Sequence, residues 1–122
     1  MAQLPDTASK AWDARQGAVV LTTVDANGVP NAIYATCVKK FSEDKLVVAD
    51  NYFCKTRANI LGGSTGSMLY ITEDKKAFQV KGSIDYLTEG EIFAFIKADF
   101  PKAVAATVLN VEEVYSGAER LA

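Results

Sequence analysis

The 122-residue sequence contains no histidine. Without imidazole the chain cannot supply the usual base of a serine or cysteine nucleophile, or an imidazole ligand for zinc or haem. Its two cysteines, Cys37 and Cys54, lack the CxxC spacing of a zinc site. We interpret them as reduced thiols, with a bridge between them as the less favoured alternative. The sequence therefore assigns no catalytic side chain and no metal ligand.

The chain also has no excess of positive charge. Its 13 basic and 15 acidic residues give a net charge of −2, without a lysine- or arginine-rich run. Binding to DNA or RNA is therefore not expected. No apolar run approaches the roughly 20 residues that cross a bilayer, and the first residues do not resemble a secretory leader. We expect a cytoplasmic protein without a nucleic-acid or membrane partner.

What the sequence does contain is enough apolar material for a core. Hydrophobic residues make up 49% of the chain, and 12 of its residues are aromatic, namely six Phe, five Tyr and one Trp. A chain of this length and composition is typical of one domain that folds without disulfide bridges. We therefore predict a single domain over residues 1–122.

Strand and turn signals alternate along the chain. β-branched segments, a hairpin turn at 25–28 and good alternation over 77–87 favour antiparallel strands. The six predicted strands span 18–24, 29–41, 46–49, 67–72, 77–87 and 107–115. Sheet edges in so hydrophobic a chain are expected to be covered by closure or by dimerisation.

Helices are predicted at three places. Pro5 opens the first, and Trp12 on its apolar face is assigned to core packing in preference to flavin stacking. The second begins at Lys55, and a Thr88-x-x-Glu91 capping box introduces the third. A further helical turn is expected at 102–106, and 118–122 is treated as a tail. This order predicts a mainly β fold, a small antiparallel barrel with accessory helices.

The start of the second helix is a candidate anion site. An ammonium, a hydroxyl and a guanidinium, from Lys55, Thr56 and Arg57, occur where backbone N–H groups are unpaired. This combination suits a phosphate. A surface helix whose first turn happens to be basic explains this segment, taken alone, equally well.

Several segments together carry a family resemblance. They are Ala18-Val-Val-Leu-Thr-Thr, Asn27-Gly28-Val29-Pro30, Asn31-Ala-Ile-Tyr-Ala-Thr, Lys55-Thr56-Arg57-Ala58-Asn59-Ile60, Val80-Lys81-Gly82-Ser83 and Val111-Glu112-Glu113-Val114-Tyr115. In this order and spacing the sequence resembles the flavin-binding split-barrel family related to pyridoxamine 5′-phosphate oxidase, most closely its small FMN-binding proteins. The resemblance covers most of the chain and implies a six-stranded antiparallel split β-barrel of the FMN-binding type.

The resemblance also implies an elongated FMN site. By position, Ile33, Tyr34, Ala35 and Thr36 would line the isoalloxazine ring, Ala49, Asp50 and Asn51 would border the ribityl chain, and Lys55 and Thr56 would hold the phosphate, with Arg57 as a candidate helper. This agrees with the residues themselves, since FMN offers a dianionic phosphate to the basic helix start and a flat ring to a strand. An ordinary barrel strand is the alternative for 33–36.

The family assembly implies a homodimer with the flavin at the subunit boundary. We expect the apolar stripe at 92–100 and the strand near Val108 to supply the contact surface. The longer oxidases of the family hold their substrate phosphate with C-terminal basic residues, whereas here Arg120 is the only basic residue after Tyr115. Oxidation of pyridoxamine phosphate is therefore not expected.

The leading hypothesis is an FMN-dependent redox protein. It would be a small flavin oxidoreductase or reductase, or an electron carrier, with a small-molecule or protein electron donor or acceptor. The missing histidine does not oppose this, because the flavin carries the electron chemistry. The alternative is a non-catalytic module that stores, carries or senses flavin. A third hypothesis is a haem-handling split barrel that uses Cys or Tyr ligation.

Overall fold

The computed structural model describes residues 2–122, which form three helices and eight strands. In chain order the elements are α1 (Asp6–Asp13), β1 (Val19–Val24), β2 (Pro30–Ala35), β3 (Val38–Ser42), β4 (Lys45–Asp50), α2 (Lys55–Leu61), β5 (Gly66–Ile71), β6 (Ala77–Leu87), α3 (Glu91–Asp99), β7 (Ala105–Ser116) and β8 (Glu119–Arg120). Within this range, none of the helices combines the length and the apolar character that a membrane crossing requires.

All eight strands belong to one antiparallel sheet. Their order is β2-β1-β5-β6-β7-β4-β3, with β8 added to β7. The sheet has separate hydrophobic clusters on its two faces. The two ends of the order, β2 and β3, follow each other in the chain but are not paired with each other in residues 2–122. This architecture confirms the predicted mainly β, antiparallel split barrel with accessory helices.

The β1–β2 hairpin forms because its turn residues satisfy their own backbone. The Asp25 carboxylate accepts hydrogen bonds from the N–H groups of Asn27 (2.8 Å) and Val29 (2.9 Å). Gly28 adopts a φ of +81°, which an L side chain rarely tolerates. The predicted hairpin turn at 25–28 is therefore confirmed, and it fixes the start of β2.

The hydrophobic cluster on one face of the sheet, which we call the inner cluster, includes Trp12, Leu21 and Tyr70 and packs α1 against the barrel. Trp12 is only 2% exposed and packs edge-on against Tyr70, with ring centroids 5.2 Å apart. The Tyr70 hydroxyl donates a hydrogen bond to the carbonyl oxygen of Ala8 (2.8 Å), so the buried ring is also satisfied at its polar tip. The assignment of Trp12 to core packing is confirmed.

The hydrophobic cluster on the other face, which we call the outer cluster, includes Val47, Ile96 and Val108 and forms where α3 covers β4 and β7. Ile96 is fully buried there with Val47 and Val108, and Phe95 contacts Phe41 at a centroid distance of 5.1 Å. The apolar stripe at 92–100 therefore covers the chain's own sheet. Of this stripe only Ile96 is fully buried, and Ile92, Phe93, Phe95 and Phe100 remain partly exposed.

The predicted number of strands is wrong. The segment 29–41, predicted as one strand, is two strands, β2 and β3, separated at Thr36–Cys37. No glycine or proline marks this break, because the chain leaves one edge of the sheet and joins the opposite edge without a tight turn. The predicted tail also contains β8, which pairs with the end of β7.

Two predictions around α3 are also wrong. The N-cap of α3 is Gly90, at a φ of +96°, and no side chain of the described residues caps it, so the Thr88–Glu91 capping box does not form. Ala105 and Ala106 belong to β7, not to a helical turn at 102–106. Both are completely buried, which explains why a small, apolar, helix-favouring composition occurs in a strand.

Candidate functional site

A cavity lies along the edge strand β2. Its volume is about 320 Å³, within the usual range for a small-molecule site. It is built from the edge strand β2, the link to β3, the end of β4 and the loop that leads into α2. The lining residues are Asn31, Ala32, Ile33, Tyr34, Ala35, Thr36, Cys37, Val48, Ala49, Asn51, Tyr52, Phe53, Cys54, Lys55 and Thr56.

The structure brings the predicted site residues together with one exception. Lining the cavity are Ile33, Tyr34, Ala35, Thr36, Ala49, Asn51, Lys55 and Thr56. Asp50 is not part of the wall, because its side chain is fully buried. Arg57, the candidate helper, does not line the cavity and pairs with Asp50 instead.

Sequence reasoning missed several lining residues. Asn31 and Ala32 precede the predicted ring segment on β2, and Cys37 follows it. Tyr52, Phe53 and Cys54 lie between the two segments that were predicted to hold the ribityl chain and the phosphate. Their position between predicted site segments was the available signal.

One end of the cavity is cationic. Lys55 is the only side chain among the described lining residues that is charged at neutral pH, and it forms no ion pair within residues 2–122. Next to it, the Thr56 hydroxyl accepts a hydrogen bond from Asn31 Nδ2 (3.0 Å), so its own proton can be donated to a ligand. This end therefore suits an anion.

The start of α2 is fixed against the hairpin strands. Thr23 Oγ1 accepts a hydrogen bond from Asn59 Nδ2 (3.0 Å) and a longer one from Asn31 Nδ2 (3.5 Å). Thr23 is 4% exposed, so these contacts are shielded from water. Through them β1, β2 and α2 hold Thr56 in one position.

Along β2 the cavity wall is an open strand edge that carries the apolar residues Ala32, Ile33 and Ala35. As an edge strand, β2 pairs only with β1, and alternate backbone groups along its free edge have no strand partner. Tyr34 and Tyr52 lie on the rim and are 81% and 88% exposed. Two exposed aromatic rings beside unpaired backbone groups suit a planar, polar-edged ligand.

The Asn51 amide also lies on the cavity wall, beside Cys37. Its Nδ2 donates a hydrogen bond to Cys37 Sγ (3.4 Å). Its Oδ1 is enclosed and has no hydrogen-bond partner among the described residues. An unpaired amide oxygen in this position is costly, and a rotation of the amide would offer it to a hydroxyl in the cavity.

Behind the cavity wall, Asp50 forms the centre of a hydrogen-bonded network. Oδ1 accepts hydrogen bonds from the Phe53 N–H (2.8 Å) and Arg57 Nη2 (3.0 Å). Oδ2 accepts them from Arg57 Nε (2.8 Å) and the Tyr86 hydroxyl (2.5 Å). The network thus connects the end of β4, the following loop, α2 and β6.

The network controls the protonation of its members. Burial alone would raise the pKa of the Asp50 carboxyl, but the hydrogen bonds from Arg57, Tyr86 and the Phe53 N–H outweigh it and hold this pKa below its ordinary value of 3.8. The carboxylate raises the pKa of the Arg57 guanidinium through their hydrogen bonds. Burial and the bond to Asp50 also raise the pKa of the Tyr86 hydroxyl. Asp50 and Arg57 are therefore ionised and Tyr86 is neutral at neutral pH.

Comparisons with known proteins agree with this geometry. Residues 6–118 match the family model described as pyridoxamine 5′-phosphate oxidase. Among curated proteins, the uncharacterized protein MJ0282 of Methanocaldococcus jannaschii is 28% identical over an alignment of 107 residues, and the match covers 80% of this chain and 71% of that protein.

Two solved structures have a similar fold. HupZ from Group A Streptococcus superposes with a TM-score of 0.78 at 19% identity, and the match covers 87% of this chain and 90% of that one. An FMN-binding protein from Syntrophomonas wolfei subsp. wolfei gives a TM-score of 0.72 at 22% identity, covering 84% of this chain and 78% of that one. At these identities the likeness establishes the fold alone.

Proposed function

Because this chain belongs to the pyridoxamine 5′-phosphate oxidase family, we propose that its cavity binds FMN and that the protein is a small FMN-dependent redox protein. Membership confirms the family resemblance on which the expected site was based. The observation that carries the proposal is the cavity itself, which combines one unpaired lysine beside Thr56 with the open edge of β2 and two exposed tyrosines. FMN has a phosphate that suits the lysine, a planar ring that suits the strand edge, and a polar chain that joins them.

The phosphate end is supported by side chains. The Lys55 ammonium provides a charge-assisted hydrogen bond, and the Thr56 hydroxyl provides a second donor, because its proton is not used in the hydrogen bond that it accepts from Asn31 Nδ2. Since α2 has only seven residues, we assign the recognition to these two side chains and not to the helix dipole.

Other lining residues suit the rest of the FMN molecule. The unpaired Oδ1 of Asn51 can accept a hydrogen bond from a ribityl hydroxyl after rotation of the amide. Ile33 and Ala35 supply apolar contact, and the free backbone edge of β2 can pair with the polar rim of the flavin. When bound, FMN supplies electron or hydride transfer at its ring, so the chain itself needs no nucleophile.

Oxidation of pyridoxamine phosphate is not proposed. Arg120 pairs with Glu113 at 3.8 Å and does not line the cavity. Apart from Lys55, the described lining residues offer no cation to a second phosphate. The redox partner of this chain is therefore expected to lack a phosphate that needs its own cationic site.

The binding proposal is tested by comparing two flavins. In the double variant Lys55→Ala and Thr56→Ala, the affinity for FMN should fall about 100-fold, since each lost contact costs roughly tenfold. Riboflavin lacks the phosphate, so its affinity should change by less than about threefold. Fluorescence titration of the flavin-free protein measures both dissociation constants.

A matched control removes an exposed lysine elsewhere. Lys102→Ala, outside the cavity, should leave both affinities unchanged. Equal losses for FMN and riboflavin in the double variant would contradict the phosphate assignment. A native protein that purifies colourless and does not bind added FMN would end the proposal.

Turnover separates redox function from storage. A redox protein should accelerate reduction of bound FMN by NADH, NADPH or another donor, followed by reoxidation by an acceptor. Tight FMN binding without accelerated reduction by any donor would favour the storage or sensing module. The absorption spectrum of the purified protein separates both from a haem protein.

We further propose that the protein is a homodimer, through a different surface from the one expected from sequence. Val20 is paired with Tyr34 on one side and with Leu69 on the other, so the three side chains form an apolar row on the outer face of β2, β1 and β5. Tyr34 is 81% and Leu69 41% exposed. A second copy would cover this row, which continues into the cavity through Tyr34.

The dimer proposal predicts a change of mass in solution. Leu69→Arg places a charge in the row and should convert the dimer to a monomer in sedimentation analysis, because an unpaired charge is not tolerated in an interface centre. Leu61→Arg is the matched control: Leu61 is 66% exposed at the end of α2, and its replacement should leave the mass unchanged. A monomeric wild-type protein would refute the proposal.

A further inference from the structure

We propose that Asp50, Arg57 and Tyr86 are positioning residues that hold Lys55 and Thr56 at the phosphate end of the cavity and so determine the preference for a phosphorylated flavin. The inference rests on the proposed FMN site, but it concerns residues that do not line the cavity. It also reverses the expectation from sequence, in which Asp50 and Arg57 were candidates for direct contact.

The first argument is the position of the network. The chain leaves the cavity wall at Ala49, passes through the buried Asp50, and returns to the wall at Asn51. Hydrogen bonds from the Phe53 N–H and the Arg57 side chain to the Asp50 carboxylate therefore close this loop at both of its ends. Lys55 lies between Phe53 and Arg57, so its backbone position is set by the two bonds that flank it.

The second argument is the two-point contact between Arg57 and Asp50. Arg57 uses Nε and Nη2 on two different oxygens of Asp50, at 2.8 and 3.0 Å. This two-point contact fixes orientation as well as distance, which a lysine could not reproduce. The Tyr86 hydroxyl then joins Oδ2 from β6, in the middle of the sheet. The loop after β4 is therefore held by a central strand of the barrel as well as by its own residues.

The third argument is charge. Arg57 faces the buried carboxylate of Asp50, and its charge is therefore already compensated. The side chain of Lys55 has no such partner in residues 2–122. Lys55 is therefore available to the ligand, whereas Arg57 stabilises the loop through Asp50.

The test uses Asp50→Asn, because a positioning role and a phosphate-binding role of Arg57 predict opposite changes in the affinity for FMN. If Asp50 positions Lys55 and Thr56, the variant binds FMN about tenfold more weakly, with riboflavin changed less than about twofold. If Arg57 is instead a phosphate ligand restrained by Asp50, the variant releases it and FMN binds more tightly. That second result would overturn the inference.

A double-mutant cycle shows whether the effect passes through Lys55 and Thr56. In the background of Lys55→Ala and Thr56→Ala, Asp50→Asn should weaken FMN by no more than about twofold, because the residues it positions are already gone. An undiminished tenfold loss in that background would contradict the inference. Wild-type FMN binding, measured alongside, tests the proposed function separately.

Two milder variants cover the case in which Asp50→Asn does not fold. Tyr86→Phe removes one hydroxyl and Arg57→Lys retains the charge but not the two-point contact; each should lower FMN affinity about three- to tenfold and spare riboflavin. Asp99→Asn at the end of α3 breaks a 2.6 Å ion pair with Lys39 on β3 and serves as the matched control, with both affinities unchanged. Equal losses for the two flavins in Tyr86→Phe and Arg57→Lys would identify the network as structural only.

Discussion

Gly82→Ala is expected to prevent stable folding, at a cost of about 4 kcal/mol or more in the free energy of unfolding. A Cβ atom at this position would lie 1.7 Å from the carbonyl oxygen of Asn110, far inside van der Waals contact. The neighbouring atom belongs to the backbone of β7 and cannot move away like a side chain. The close approach occurs where the pairing of β6 and β7 shifts register between Lys81 and Gly82.

The measurement is denaturant unfolding of the variant beside a matched glycine. Gly17→Ala also introduces a methyl group, at a φ of +69°, but none of the described atoms lies within 4 Å of the added carbon. It should cost only about 1–2 kcal/mol, from the left-handed backbone. Equal stabilities of the two variants would show that β6 and β7 can separate at this point.

Asp50→Asn is expected to reduce the stability of the protein by about 2–3 kcal/mol at pH 7, and its melting temperature by about 10 °C. Removing one partner of a buried ion pair usually costs about 3–5 kcal/mol, because the other charge is left unpaired. The Arg57 side chain is 36% exposed, so water compensates part of that loss. Thermal unfolding of both proteins without flavin measures the difference.

The same variant has a defined pH dependence. The pKa of Asp50 is lowered in the folded protein from its ordinary value of 3.8, so its stabilising contribution is complete above that value and is lost as the pH falls through the folded-state pKa. The stability gap between wild type and variant should therefore be constant above about pH 5 and shrink below pH 3.8. Glu43, Asp74 and Glu113 also have lowered pKa values, but both proteins contain them and their effects cancel. A gap that widens in acid would contradict the assignment.

The order of most elements was predictable because local signals and tertiary packing agree. The turn at 25–28 has side chains that satisfy its own backbone, and the alternation over 77–87 coincides with β6. The break at 36–37 was not predictable, since β2 and β3 separate for a tertiary reason that leaves no turn residue behind. The capping box at 88–91 failed because Gly90 supplies the helix entry by its backbone alone.

The site was predictable as a set of segments but not as a set of side-chain directions. In β4, five successive residues from Leu46 to Asp50 are buried, because one face meets the inner cluster and the other meets the cluster under α3. Alternating exposure, the usual guide to direction, is therefore absent in this strand. Family position placed Asp50 beside the ligand, whereas its carboxylate binds Arg57 behind the wall.

The separation of β2 and β3 has a mechanical consequence. These strands are the two ends of one hydrogen-bonded sheet, and the cavity is built largely from the edge of β2 and the segment that joins it to β3. A molecule bound there would contact β2, the link to β3 and the end of β4, and would therefore connect the two ends of the sheet. Binding would stabilise the edge strands β2 and β3 most, because each pairs with only one other strand. Local opening of these two strands is therefore expected to become rarer as the site fills.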